Sequence, residues 1–486
     1  MYYSYRKLHI VPSYLLDTAV RGRILNGCWL LAAAGISISQ MLLLAQAWRQ
    51  DQQAARTACI ASAWVIGELL GGVVNSELRR RFAPPAIVWG AAFVGSAVGW
   101  WTWALPVGHS SAPSMMPDLA ASMLPLLGMA LLLGFLSSLW LGQQRSWAAV
   151  GERATLVRNA VCLTFGLVIV WSYLHWSEMV GLSCLLPLLL LDLLTAGLDP
   201  RPSRGGMTGT LLDQRADPAR WSPLRLELRT SVTGWWRTYL ARRGHAVPTL
   251  LATGTAILLG AVWNAVPTPF AGGLAGTSEM NKLTWLLAGE VGALAVGAWL
   301  LNRSRSLVGA PDRLVPFSLR TLAWRLAWFA LAGISVSLVL LGLPHLQDPW
   351  WLALSLGVYT LAATAWGVLL PRLRPGIATE VFAQRHQAFG RGIVMRGGYL
   401  AYEQALENHV SLVLSTGEGL MTAICAPVVG LLIDHMTVDR TLIFIGLVLA
   451  WFLVVVMAAN PARVMDQLFA RPVRVAVNVH RQRLVA

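Results

Sequence analysis

Charge is what this sequence has least of. Only 13% of its 486 residues are Asp, Glu, Lys or Arg, against 56% hydrophobic, and the mean hydropathy is +0.57. A soluble chain of this length carries about a quarter charged residues, so the solvent around the folded chain is mostly lipid. Cysteine is sparse as well. Cys28, Cys59, Cys162, Cys184 and Cys425 are scattered through apolar runs, with no CxxC or Cys/His spacing, which argues against a disulfide framework or a metal cage. The alternating ten-residue segments of a membrane barrel are missing. Since only helices and closed barrels satisfy their backbone inside lipid, the expected fold class is all-α integral membrane. No phosphate-cradling GxxxxGK[ST] loop occurs, which argues against ATP hydrolysis by this chain. No cleavable signal peptide is expected: the first 24 residues carry charge and polarity, and the apolar run from Ile24 is too long for a signal core.

What is present are apolar runs of about 20 residues, the length a helix needs to cross ~30 Å of hydrocarbon at 1.5 Å per residue. Breaks at charged and proline-rich positions predict twelve spans, at 25–47, 56–75, 86–105, 119–142, 157–174, 179–198, 247–266, 283–301, 321–343, 350–371, 409–433 and 441–460. Cytoplasmic loops collect Lys and Arg. With both termini cytoplasmic, 34 of the 38 Lys and Arg residues fall on the cytoplasmic side, and only Arg49, Arg56, Lys282 and Arg440 face the other way. A miscounted span would scramble that alternation from the error onward. The net charge of +15 thus reads as a topology signal for a multi-pass protein of the cell (inner) membrane, with affinity for anionic lipids, and needs no nucleic acid.

The predicted organisation is an N-terminal six-helix bundle over 1–198, a cytoplasmic linker over 199–246, a second six-helix bundle over 247–460 and a basic cytoplasmic tail over 461–486. The linker holds Trp221, Leu224, Leu228, Val232, Trp235, Trp236, Tyr239 and Leu240 at three- and four-residue steps among arginines, the pattern of an amphipathic helix lying in the interface. A second long cytoplasmic loop, 372–408, reads as a solvated face with short surface helices. Either loop offers a place for a protein partner. A faint internal repeat sets Asn159 to Leu163 at the start of the fifth span beside Asn408 to Leu412 at the start of the eleventh, and Gly67-Glu68 in the second beside Gly289-Glu290 in the eighth.

Twelve spans divided six and six by a basic cytoplasmic loop, with both ends inside, resemble the major facilitator superfamily. Two local features agree. After the second span, Gly71-Gly72-Val73-Val74-Asn75-Ser76-Glu77-Leu78-Arg79-Arg80-Arg81 is similar to that family's signature loop between spans two and three: a glycine, an acidic residue, then a basic cluster. Asn75 or Ser76 stands where the family usually has aspartate. Residues 419–434, with Ala426-Pro427 and Gly430 leading to Asp434, resemble the family's glycine- and proline-bearing span that ends at an aspartate. The resemblance implies two pseudo-symmetric bundles that rock about a central cavity, with substrate near the midplane. It makes Gly72, Asn75, Arg79, Arg80 and Asp434 the conformational gate.

A carboxylate within hydrocarbon is a functional candidate by default. The deepest are Glu68 in the second span, Glu290 in the eighth and Glu418 in the eleventh. Ser415-Thr416-Gly417-Glu418-Gly419 is the most suggestive patch, because small residues thin the helix around the acid and admit water or substrate. The functional reading is that one or more of these acids binds and releases a proton in each cycle, or attracts a cationic substrate. The competing reading is that each ties helices together. Asp192 and Arg325 lie near span ends and are expected to reach the interface by snorkelling. Most of the 23 tryptophans read as interfacial anchors, but Trp140, Trp285, Trp328 and Trp366 sit deeper and have the position to stack a ligand.

The expected function is therefore a secondary active transporter of a small molecule, proton-coupled and exporting, working by alternating access, with no cofactor and no metal. Two alternatives stay open. One is a facilitator-like accessory or assembly factor that does not transport; the other is a membrane-embedded transferase, which the short, acid-poor outer segments disfavour.

Overall fold

The computed structural model describes residues 18–81, 86–104, 119–145, 178–196, 243–273, 317–343, 350–366 (apart from 352 and 364) and 398–459, and the described residues are nearly all helical. In chain order the helices are α1 (Thr18–Asp51), α2 (Ala54–Arg81), α3 (Ala86–Ala104), α4 (Leu119–Arg145), α5 (Glu178–Ala196), α6 (Arg243–Ala265), the short α7 (Pro267–Gly273) and α8 (Phe317–Leu341). A helix over 350–366 follows, then α9 (Gly398–Met436) and α10 (Val438–Ala459). Ten of the twelve predicted spans fall on these helices. The fifth and eighth, with Trp285 and Glu290, lie outside the described residues, as do the 199–242 part of the linker and the tail.

By length and composition, Gly27–Gln50, Ala54–Asn75, Met123–Gly142, Thr416–Met436 and Val438–Ala458 are long and apolar enough to cross a membrane. Helix α10 shows how such a helix sits. Leu442, Ile445, Leu449 and Leu453 are buried, while Phe444, Leu447, Trp451 and Val454 on the opposite side are exposed. A helix that is apolar all round belongs in lipid rather than on the surface of a soluble protein. The protein is an integral, multi-pass membrane protein.

Several helices run past their expected boundaries, α1 for example from Thr18 and not 25, and two of these differences bear on the site. Helix α2 continues to Arg81, so Gly72, Asn75, Arg79 and Arg80 lie in its last turns and not in a loop. No glycine or proline interrupts Val73 to Arg81, and the first breakers are Pro84 and Pro85. Helix α9 begins at Gly398, well before the expected 409, because Tyr399 to Asn408 carries no helix breaker. At 39 residues α9 is about 58 Å long, so it extends well beyond a ~30 Å hydrocarbon core.

The core is double. One cluster of buried residues is built from α1, α2, α3, α4 and α5, with Trp64, Phe93 and Trp140 among its largest members. The other is built from α6, α8, the 350–366 helix, α9 and α10, and it takes in Ala54 and Ala58 from the start of α2. These two alanines belong to a helix of the first half and are buried in the core of the second.

Tight turns join α1 to α2 and α9 to α10. Each carries a non-glycine residue in the left-handed region, Gln52 (φ 50°) and Thr437 (φ 75°). For a β-branched side chain that conformation is strained. Thr437 is exposed, so glycine there removes the strain without opening a cavity. Thr437→Gly is expected to stabilise the protein by about 0.5 kcal/mol, the left-handed penalty less the extra backbone entropy of glycine. The thermal midpoint of the detergent-purified protein, read as loss of the monodisperse peak, checks this; a lowered midpoint would mean that the threonine hydroxyl matters more than its backbone.

Candidate functional site

The two halves meet most extensively along α2 and α9. A Cβ at Gly430 would lie 2.6 Å from Ala55 Cα, and one at Gly419 would lie 2.8 Å from a Leu69 methyl. The helices therefore run antiparallel, with close approaches at both ends of the stretch from Ala55 to Leu69 on α2 and from Gly430 to Gly419 on α9, roughly 16–21 Å apart along the axes. Small residues make the approach possible. Gly419, Ala423, Ala426 and Gly430 recur on α9 at spacings of four, three and four, which places them on one face. Such faces let helix backbones close up inside a membrane, where apolar burial alone drives no association.

Glu68 and Glu418 immediately precede Leu69 and Gly419 on their helices. Two of the three predicted acids, one from each half, thus lie at about the same height along the two helices, with Glu68 on the side of α2 that packs on Gly134 of α4. Glu68 is half-buried and accepts a hydrogen bond from Trp64 Nε1 at 2.9 Å, one turn earlier on α2. Glu418 is only 9% exposed. Thr416, two residues earlier and so on another face of α9, is half-buried, and Ser415 is helical on the preceding turn. One turn beyond Glu418, Thr422 packs against Gly260 of α6 so closely that a Cβ at Gly260 would lie 2.9 Å from the threonine methyl.

Trp64→Phe tests the bond to Glu68. Loss of one hydrogen bond to a carboxylate is expected to destabilise the protein by about 1–2 kcal/mol, with much less further loss in Trp64→Phe/Glu68→Gln than the sum of the singles. Additive losses in that double-mutant cycle would show that the two side chains are not coupled.

A second polar contact crosses between the halves and was not foreseen. Gln40 Nε2 of α1 donates to Asn264 Oδ1 of α6 at 3.1 Å, and Asn264 Nδ2 donates to the Gly260 carbonyl at 2.8 Å. Both are carboxamides within apolar runs, and that is the only signal the sequence offered.

The residues assigned to the gate separate into two places. Asn75 is buried against Gly142 of α4 in the first half, and Gly72 faces Ser138 of α4 at ordinary contact distance. Arg79 and Arg80 lie in the last turn of α2. Asp434 is at the opposite end of α2. Its two carboxylate oxygens accept from the backbone N–H groups of Ala54 at 2.7 Å and Ala55 at 2.9 Å.

The aromatic candidates lie within the halves. Trp140 is fully buried in the first-half core, 5.5 Å from the ring of Phe93 and pressed onto Gly90 of α3. Trp366 and Trp328 are buried in the second-half core. None of these three indole N–H groups has a hydrogen-bond partner among the described residues. Asp192 does not snorkel as expected. It is 0% exposed, in the part of α5 whose neighbours Leu185 and Leu189 belong to the first-half core. Among the described residues no group of three His, Cys, Asp or Glu is placed to hold a metal.

This architecture is shared with solved membrane transporters at low sequence identity. A nucleoside transporter, NupG, superimposes with a TM-score of 0.54 at 11% identity, covering 90% of this chain and 98% of its own. A peptide transporter, POT, gives 0.54 at 10% identity, covering 94% and 97%. The xylose transporter XylE from E. coli, in a partially occluded inward open conformation, gives 0.52 at 13% identity, covering 90% and 99%. No protein-family profile and no curated protein matches the sequence. The chain has the major facilitator fold.

Proposed function

We propose that this protein is a secondary active transporter that moves a small molecule across the cell (inner) membrane by alternating access, coupled to protons and working as an exporter. The observation that carries the reading is the seam. Two helical halves with separate cores meet along α2 and α9, and an acid from each half stands at about the same height along these helices. Solved proteins of the same fold are named as a proton symporter, a nucleoside transporter and peptide transporters, none of them an enzyme.

Glu418 and Glu68 are the proton-coupling groups in this reading, with Glu290 of the eighth span as a third candidate. Ser415 and Thr416 are candidate hydroxyl donors on the turn of α9 that precedes Glu418. The substrate is an amphiphilic or cationic molecule, because a carboxylate in a low-dielectric site holds a cation more firmly than it does in water. Anionic lipids bind the arginine-rich cytoplasmic side.

A thermal-shift screen of a chemically broad library at two pH values tests this. An organic cation that shares the carboxylate with a proton stabilises the protein more as pH rises, because deprotonation frees the site. A hit whose shift is independent of pH would remove the proton coupling. A screen with no stabilising compound at either pH would remove the transport reading and favour an accessory role.

A further inference from the structure

The first backbone N–H groups of a helix have no partner within the helix and are normally capped by a side chain just before it. In α2 the cap comes from the other half of the protein. Gln53 precedes the helix, and its carbonyl accepts from Thr57 N–H. The Ala54 and Ala55 amides are instead taken by Asp434, 380 and 379 residues further along the chain. The arrangement is electrostatically favourable, since a carboxylate faces the positive end of the α2 dipole.

Three contacts surround this cap. Gly430, one turn earlier on α9, lies against the Ala54–Ala55 backbone. Ala54 and Ala58 are buried in the core of the second half. Deeper in, Gln40 and Asn264 join α1 to α6. The cap is thus the polar group at the end of the seam, and it lies at the α1–α2 and α9–α10 turns among exposed Gln52, Gln53, His435 and Asp439, a polar cluster suited to the membrane–water boundary. The bond to the half-buried Ala55 amide is at the exposed end and exchanges readily for water, whereas the Ala54 amide, on a fully buried residue, reaches water only when the seam parts.

Resting on the alternating-access reading above, we propose that Asp434 is the outer latch of the protein. In the state seen here it caps α2 from the second half and holds the outer seam shut, and its release from the Ala54 and Ala55 amides is the step that lets the halves part on that side. The arginine distribution places this end, with the α1–α2 and α9–α10 turns, on the outer face.

The test compares Asp434→Ala with wild type in an Ala58→Cys background. Ala58 is fully buried, and the second-half core that covers it leaves only when the seam opens. Labelling by a charged, membrane-impermeant maleimide from the outer side is read at that position by peptide mass, so the native cysteines do not interfere. The expected result is roughly tenfold faster labelling in Asp434→Ala, with faster amide exchange at Ala54 and Ala55. Faster amide exchange with unchanged labelling would overturn the latch and leave Asp434 as a helix cap only.

Leu69→Cys, labelled from the inner side, separates the latch from the reading beneath it. If the halves rock, its labelling falls as that of Ala58→Cys rises. If it stays level while Ala58→Cys opens, the latch stands and alternating access fails. Should Asp434→Ala not yield monodisperse protein, Asp434→Asn keeps one acceptor and the side-chain size, and it is expected to move the same readouts in the same direction by less. No change with Asp434→Asn then overturns the proposal.

Discussion

Gly134→Leu is expected to abolish recovery of folded protein, whereas Gly128→Leu on the same helix leaves it unchanged. Helices α2 and α4 touch backbone to backbone. A Cβ at Gly134 would overlap the Trp64 carbonyl, one at Gly67 would overlap the Leu131 carbonyl, and one at Gly71 would lie 2.5 Å from the Phe135 carbonyl. These are main-chain atoms, so no rotamer change can make room and the helices must separate. Separation would undo the packing of Trp64 and Phe93, which meet edge to face at 6.5 Å, together with the core around them. Overpacking of this kind costs about 3 kcal/mol or more, a large part of the ~5–15 kcal/mol that holds a typical protein folded. Gly128 has nothing within 4 Å of its Cβ position and is exposed toward lipid, where leucine is at home and a better helix former. The yield of monodisperse protein after extraction decides the matter. Equal recovery of the two variants would mean that the close α2–α4 crossing is not what holds the first half together.

The second large effect is on activity. Glu418→Gln is expected to lower gradient-driven transport at least about tenfold while leaving exchange of ligand across the membrane at equal pH largely intact. Glutamine has nearly the size and shape of the acid but cannot gain or lose a proton near neutral pH. It therefore removes the coupling step and spares the movement of the halves. Glu68→Gln is expected to have the smaller effect, because Glu68 is less buried and is tied to Trp64 within its own helix. Proteoliposomes with and without an imposed pH gradient separate the two activities. Loss of both together would make Glu418 a structural tie between α2 and α9. Retention of both would pass the coupling role to Glu68 or to Glu290.

These predictions differ in how far they could have been made without the fold. The candidacy of Glu418 and Glu68 came from a local property: a carboxylate within an apolar run is rare enough to be noticed wherever its side chain points. The choice of Gly134 over Gly128 did not. The chain has 44 glycines, and nothing in their neighbours distinguishes one that meets a backbone from one that meets lipid. The signature resemblance shows the same limit. It grouped Asn75 and Asp434 as gate residues, yet one packs on α4 within its own half and the other caps α2 from across the seam.

What the sequence alone determined follows from quantities that run along the chain: length, hydropathy and the spacing of its charged and proline-rich breaks. These identified a lipid solvent, the helical class, the positions of the spans on described residues and the facilitator-like plan. What only the tertiary structure decided is which faces meet. In a soluble protein the buried face of a helix betrays itself by being more apolar than the other. Here lipid and protein interior are about equally apolar, so α10 buries Leu449 and exposes Leu447 with nothing in the residue types to say which is which. Helix rotation is thus unwritten in composition. With it go the shared level of Glu68 and Glu418, the Gln40–Asn264 bond and the partner of Asp434, all set by close packing of small residues between helices far apart in the chain.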